Sequence, residues 1–395
     1  MNGKLKNEFN QRVKKLRSLM QEWGIDACFI YGDEYRRENL RYMSNYWPIF
    51  ERGAVIVTMT GEPIVLAAPE GELVCREMSV WPDIRLIPDF NCVTVPDEIE
   101  YPHADYTDFK KVFNELKGQY GVKRLGIAGM DAMAKQVYES IVTNAQEVDV
   151  VDANELLFTM RLIKSEYEIA CLKEAARVAD KGYIALMEAA AVGVTELEIA
   201  AAAYYACMRE GAENVPFCLV ASGVRVNTII GRPTRKRVEN GDMIMAALAV
   251  QYEGYIATIN FPFIVGDSSP EQREFINYLI EANDRALQLI RPGVRQGEMV
   301  GAVKSYFREQ GVDAYDLYPP LHGCGAAEAE MPYPNEHTQG LFEEGMTVNT
   351  DISLFGHPHG SNRIEEGFIL TKEGNEPMSR LVRELTEKWK ETERL

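Results

Sequence analysis

Apolar residues Phe9, Val13, Leu16, Leu19 and Met20 recur at helical spacing and stop at Gly24, which predicts a helix over 8–24. The run IDACFIY at 25–31 predicts a strand, and 53–57 with 64–68 read as a hairpin pair around a turn at 60–63. Helical patterns at 69–80, 107–119 and 132–143 then alternate with strand patterns near 84–87, 123–127 and 148–151. Strands alternating with helices predict an α/β domain. The pattern changes afterwards. Residues 154–189 read as helix almost throughout, with Ile169, Leu172, Ala175, Ala176 and Val178 on one face, and a second helix over 195–211 ends at Gly211. Strand-like runs follow at 217–222 and at 241–266, the latter a hairpin with a polar turn near 251–254. Helices at 270–291 and 297–310, strand and loop material to 371 and a charged helix at 378–393 complete an α+β pattern. The expected division is therefore an α/β domain over 1–155 and an α+β domain over 156–395.

Composition narrows the partners. With 42 Lys and Arg against 60 Asp and Glu the formal net charge is −18, which argues against nucleic acid or an anionic membrane surface as partner. The one dense basic run, RPTRKR at 232–237, reads as a solvated loop or a contact between subunits. Seven cysteines (28, 75, 92, 171, 207, 218 and 324) show no C-x-x-C spacing, as expected of buried thiols in a reducing compartment. The amino terminus lacks the apolar core of a signal peptide, and no apolar run approaches the ~20 residues of a membrane span, so a cytoplasmic location is expected.

Five histidines are present, at 103, 322, 337, 357 and 359. His322 in LHGCG follows Pro319 and Pro320 and suits a strand end facing a cleft, or a hydrogen-bonded structural role. His357 and His359 lie in FGHPHGSNR, a loop able to close over a pocket or simply to stand in solvent. Asp351 sits in the apolar run TVNTDISLF, where a carboxylate needs a donor, a metal or a proton-sharing neighbour. Glu365 and Glu366 are adjacent in a strand pattern, so one is expected to face inward, with a structural ion pair to Arg363 as the alternative. Cys324 becomes a candidate nucleophile only if His322 lowers its pKa. The hairpin carries Ala247 and Thr258 at its inward positions, and between Asp242 and Asp267 its one carboxylate is Glu253 in the turn.

The segments EEGMTVNTDISLF, RIEE…LTKEG, LHGCG and MRLIKSEYEIACLKEAARVADKGY resemble the creatinase, aminopeptidase P and prolidase superfamily over nearly the whole chain. The resemblance implies a pita-bread C-terminal domain behind a smaller α/β domain. Metallopeptidases of that superfamily hold two metal ions with Asp, Asp, His, Glu and Glu. Those positions fall here on Ala247, Thr258, His322, Asp351 and Glu365, and a substrate-contacting His falls on Ile230. Alanine offers no donor atom and threonine a poor one for a dication. The expectation is therefore a protein without a cofactor, with a single divalent ion at His322, Asp351 and Glu365 as the alternative.

Creatinase works without metal. Its catalytic His also falls on Ile230 and its hairpin Glu on Asn260, while Phe50 and Arg52 in PIFERG resemble the pair that reaches the substrate carboxylate from the partner subunit. The resemblance thus implies a metal-independent, creatinase-like hydrolase of a C–N bond (amide or amidine) in a small, carboxylate-bearing or dipeptide-like substrate. In that reading His322, Asp351 and Glu365 are catalytic. Phe50, Arg52, Ile230, Ala247, Thr258, Asn260, His357 and His359 bind substrate, in a homodimer whose Arg52 reaches the partner's site. The alternatives are a mononuclear, metal-dependent Xaa-Pro peptidase-like hydrolase and a non-catalytic pita-bread binding protein.

Overall fold

The computed structural model describes residues 3–91 and 105–395, so Cys92 and His103 lie outside the described residues. Contacts divide the chain into two units, Met1–Arg161 and Leu162–Leu395. The first runs α1 (Gly3–Trp23), β1 (Ala27–Asp33), α2 (Glu38–Ser44), β2 (Arg52–Thr58), β3 (Ile64–Ala67), α3 (Glu72–Met78) and β4 (Asp83–Leu86). It continues through α4 (Phe109–Tyr120), β5 (Arg124–Ala128), α5 (Lys135–Asn144), β6 (Asp149–Asp152) and α6 (Asn154–Leu162). The strands form one mixed sheet in the order β4-β3-β2-β1-β5-β6. Both faces are apolar, as a sheet covered on each side requires. Cys28, Ile30, Val55 and Val57 pack with Leu16 and Met20 of α1 and Leu157 of α6. Their alternates Phe29, Tyr31, Ala54 and Ile56 pack with Phe109 and Phe113 of α4 and Ile141 of α5. Because Leu156, Leu157 and Met160 belong to this core, the contacts divide at the end of α6, between Arg161 and Leu162, where the sequence suggested 155/156.

The second unit contains α7 (Glu166–Ala189), α8 (Glu196–Arg209), β7 (Asn214–Ser222), β8 (Asp242–Tyr252), β9 (Tyr255–Ile259), β10 (Phe263–Val265), α9 (Pro270–Leu289) and α10 (Gln296–Gln310). After these come β11 (Leu321–Gly323), β12 (Thr347–His357), β13 (Gly360–Thr371), β14 (Gly374–Pro377) and α11 (Leu381–Thr392). The helical stretch 154–189 is thus two helices. Lys164 N–H donates to Gly345 O at 2.9 Å, and Ser165 opens α7 with a capping box closed by Glu168, so the chain turns between them. The same device starts α8 at Thr195 and α9 at Ser269. Gly182 lets α7 lie close to α8, since a Cβ there would collide with Cys207 Sγ. The expected hairpin at 241–266 is three strands, because β10 returns to pair with the start of β8, Phe263 opposite Ile244.

Two four-stranded sheets result, one with β8 between β7 and β10 and β9 also on β8, the other in the order β11-β12-β13-β14. Asn260 joins them: its N–H donates to Glu365 O at 3.2 Å and its carbonyl accepts from Glu365 N–H at 3.0 Å. Their core-facing residues, among them Val220, Leu248, Ile352 and Ile364, pack with Leu186 of α7, Phe275 of α9 and Val303 of α10. The opposite faces are left to build a site. Among the described residues, no helix is long and apolar enough to cross a membrane, and Cys28, Cys75, Cys171, Cys207, Cys218 and Cys324 are free and buried.

Candidate active site

Strand register decides which polar side chains meet. His322 stands opposite Asn349, Asp351 opposite Glu365 and Ser353 opposite Arg363. Side chains alternate across a strand, so His322, Asp351, Arg363 and Glu365 share one face of β11–β13, while Val348, Ile352, Ile364 and Phe368 face the core. That polar face forms the base of a cavity of about 820 Å³. Ile230, Phe217, Leu219 and Ala247 line its other side, with Tyr204 and Tyr333 also on its wall.

Arg363 organises the base. Its Nη1 lies 3.1 Å from Glu365 Oε1 and 3.5 Å from Asp351 Oδ2, and its Nη2 donates to Ile229 O at 3.1 Å. Its guanidinium also stands over the Phe355 ring at 5.2 Å. Asp351 Oδ1, Glu365 Oε2 and Arg363 Nε are buried without a protein hydrogen-bond partner. Burial pushes the Glu365 carboxyl well above the usual carboxylate range; the Arg363 charge opposes the rise, and Asp351 and Glu328 add to it. His322 Nδ1 lies 2.8 Å from Gly323 O, which can only accept, so Nδ1 carries the proton and Nε2 is left as the acceptor. Nε2 is 3.8 Å from Glu328 Oε1, beyond hydrogen-bond reach, and Thr258 Oγ1 donates to that same oxygen at 3.3 Å.

The residues expected at the site therefore separate. His322, Asp351, Glu365, Ile230 and Ala247 line the one cavity, and Thr258 reaches it through Glu328. Asn260 does not line it: its amide donates to Asn362 Oδ1 and to the Arg363 carbonyl, and its Oδ1 accepts from Ala246 N–H. His357 and His359 are also absent from its lining; His357 stacks on Phe275 at 5.3 Å with Tyr315 edge-on at 4.9 Å. Phe50 and Arg52 belong to the first unit, where Phe50 is exposed and Arg52 Nη1 donates to Asn91 O at 3.0 Å. Glu365 and Glu366 are both buried, contrary to the expectation of one, since Glu366 meets Arg383 of α11 at 2.6 Å on the opposite face. Burial holds the Cys324 thiol up at about 12, which removes it as a nucleophile. Sequence reasoning assigned Arg363 a structural ion pair and passed over Glu328, Tyr204 and Phe217. Glu328 had one signal, its place six residues after His322 in the same glycine-rich segment.

The arrangement defines a class first: a mixed α/β domain followed by a pita-bread domain with a carboxylate pair and a histidine in its cavity. The chain belongs to metallopeptidase family M24, whose profile matches residues 170–372, and residues 12–163 match the creatinase/prolidase N-terminal domain. A Pyrococcus horikoshii protein described as an Xaa-Pro dipeptidase is 28% identical over 378 residues, covering 95% of this chain and 99% of its own. The crystal structure of the prolidase from Pyrococcus horikoshii OT3 matches with a TM-score of 0.80 at 25% identity, over 93% of this chain and 97% of that one. An Xaa-Pro dipeptidase from Bacillus anthracis matches with a TM-score of 0.78 at 25% identity, over 94% and 97%.

This kinship makes the protein a hydrolase of family M24 and favours the peptidase-type alternative over the creatinase-like reading. It also corrects the expectation of a protein without a cofactor, because the family is one of metallopeptidases and the relatives are Xaa-Pro dipeptidases. A metal ion is what the family implies. The side chains as they stand do not fit a dinuclear centre. Among the described residues, no three His, Cys, Asp or Glu side chains gather closely enough to hold an ion. Asp351 and Glu365 have the Arg363 guanidinium as their counter-charge, and Ala247 contributes only a methyl group.

Proposed function

We propose that this chain hydrolyses a C–N amide bond in a short, peptide-like molecule carrying a carboxylate, with the Xaa-Pro bond as the first candidate. The observation that carries the reading is the shared face of β11–β13, which sets His322, Asp351, Arg363 and Glu365 at the base of one cavity. The family supports hydrolysis, and the relatives described as Xaa-Pro dipeptidases support the substrate type. In this reading His322 Nε2 takes a proton from the attacking water, since Nδ1 is committed to Gly323 O. Asp351 orients that water, and as the C–N bond breaks His322 returns the proton to the leaving nitrogen, beside which Glu365 is held by Arg363. A homodimer in which Phe50 and Arg52 of one copy approach the partner's cavity would supply a clamp for the substrate carboxylate. That arrangement rests on the resemblance alone.

The test is release of free proline from Gly-Pro, Ala-Pro, Leu-Pro and Phe-Pro, with and without added Mn²⁺, Co²⁺ or Zn²⁺. Release from at least one dipeptide is expected, lowered by roughly 10²–10⁴-fold in His322→Ala, the usual weight of a general base. No release under any condition would reject hydrolysis of Xaa-Pro bonds. A second reading, a binding protein on the same fold, is favoured by one observation: Arg363 already engages both carboxylates. It predicts calorimetric binding of a dipeptide with no proline released.

A further inference from the structure

The cavity has two unlike sides. Charged groups crowd the β11–β13 side, whereas Phe217 and Leu219 of β7, Ala247 of β8 and Ile230 supply apolar lining, with Arg232 of the same loop also on the wall. Ile230 is the unusual member, an isoleucine 68% exposed. It is held there by backbone that resists relaxation. Ile229 has φ 61° and ψ −60°, and Ile230 N–H donates to Thr228 O at 2.6 Å, closing a three-residue turn that β-branched residues rarely adopt.

Such a turn persists only where its surroundings over-determine it, and it is typical of ligand clamps. Here three anchors do so. The Glu196 carboxylate, fully buried, accepts from Ser222 N–H and Oγ at one end of the loop and from Thr234 N–H and Oγ1 at the other, at 2.7–2.9 Å. Arg225 also pairs with it, and Thr228 Oγ1 donates back to Arg225 O at 2.7 Å. Arg363, from the base of the cavity, takes the Ile229 carbonyl at 3.1 Å. The loop is thus built to present an apolar side chain in a fixed place beside the polar base.

We propose that Ile230, with Phe217 and Leu219, forms an apolar subsite and is a specificity-determining residue selecting substrates with a bulky branched or aromatic group beside the scissile bond. Selection among substrates rests on the hydrolase reading, whereas the subsite itself requires only binding. A cavity of about 820 Å³ has room for such a group, in the range of sites that enclose ligands larger than a minimal dipeptide.

Calorimetric titration of Phe-Pro and Gly-Pro tests it in the full chain and in Ile230→Ser, whose exposed position leaves folding, checked by thermal melting, unaffected. The wild-type protein is expected to bind Phe-Pro at least ~10-fold more tightly, about 1.4 kcal/mol. In Ile230→Ser the preference falls to ~3-fold or less, through weaker binding of Phe-Pro. Equal affinities in the wild type, a full preference retained in Ile230→Ser, or no measurable binding of either dipeptide would each overturn the proposal. Binding preference without proline release would instead reject the hydrolase reading and leave the subsite standing.

Discussion

Glu51 is a carboxylate only 3% exposed, and burial, with repulsion from Glu70, pushes it up to about 7 against the pull of the Gly71 N–H. The folded pKa thus lies above the unfolded value, so the folded state binds the extra proton. The resulting stability is complete below the unfolded pKa and is lost as pH rises through about 7. Glu51→Gln mimics the protonated form. It is expected to raise the thermal midpoint at pH 8 and leave it unchanged at pH 5; an equal effect at both would contradict the assignment. Lys164 and Glu330 make a different case, an ion pair at 2.7 Å with side chains 1% and 3% exposed. Stranding one buried charge costs about 3–5 kcal/mol. Lys164→Met should lose that much in urea denaturation, and adding Glu330→Met should restore most of it. A single-variant loss below ~1 kcal/mol would show the pair to be unimportant. Residue identity was enough to single out His322, Asp351 and Glu365. It did not reveal that Arg363 engages two carboxylates and a carbonyl at once, because those partners come from three separate segments.

Elements were legible in most places where local physics sets them. The capping boxes at Thr195 and Ser269 stand where helix starts were expected, whereas the one at Ser165 lies inside a run that reads as continuous helix; the strands of the first sheet show in their apolar runs. The short helix α2 and the three-residue strand β10 left no periodic signal, since two turns or less are specified by neighbours rather than by pattern. The loop between β7 and β8 is the element whose order matters most to the cavity. Its ends meet on Glu196, whose burial alone would raise its pKa, yet hydrogen bonds from Thr234, Arg225 and Ser222 outweigh that and lower it. Removing this acceptor strands several donors at once. In Glu196→Ala, amide exchange over 223–234 is therefore expected to quicken at least ~10-fold while α9 keeps its protection. Unchanged exchange in the loop would show that Arg363 alone suffices to hold it.

At the scale of the whole molecule, each unit has its own core, and the first contains two apolar layers, one on each face of its sheet. A fragment of residues 3–161 is accordingly expected to unfold in one cooperative transition with native-like near-ultraviolet circular dichroism, and a broad transition without that signal would refute its independence. The two-domain order, the apolar periodicities, most helix starts, the superfamily and the residue types at 230, 247 and 258 are written in the order of the amino acids. These depend on neighbours within a few positions or on motifs that survive divergence. Folding alone brings residues 322, 351, 363 and 365 to one face, turns Glu366 to Arg383 instead and stacks His357 on Phe275. Cross-strand register and packing between distant segments set those outcomes, and a shift of one residue would send every side chain to the other face.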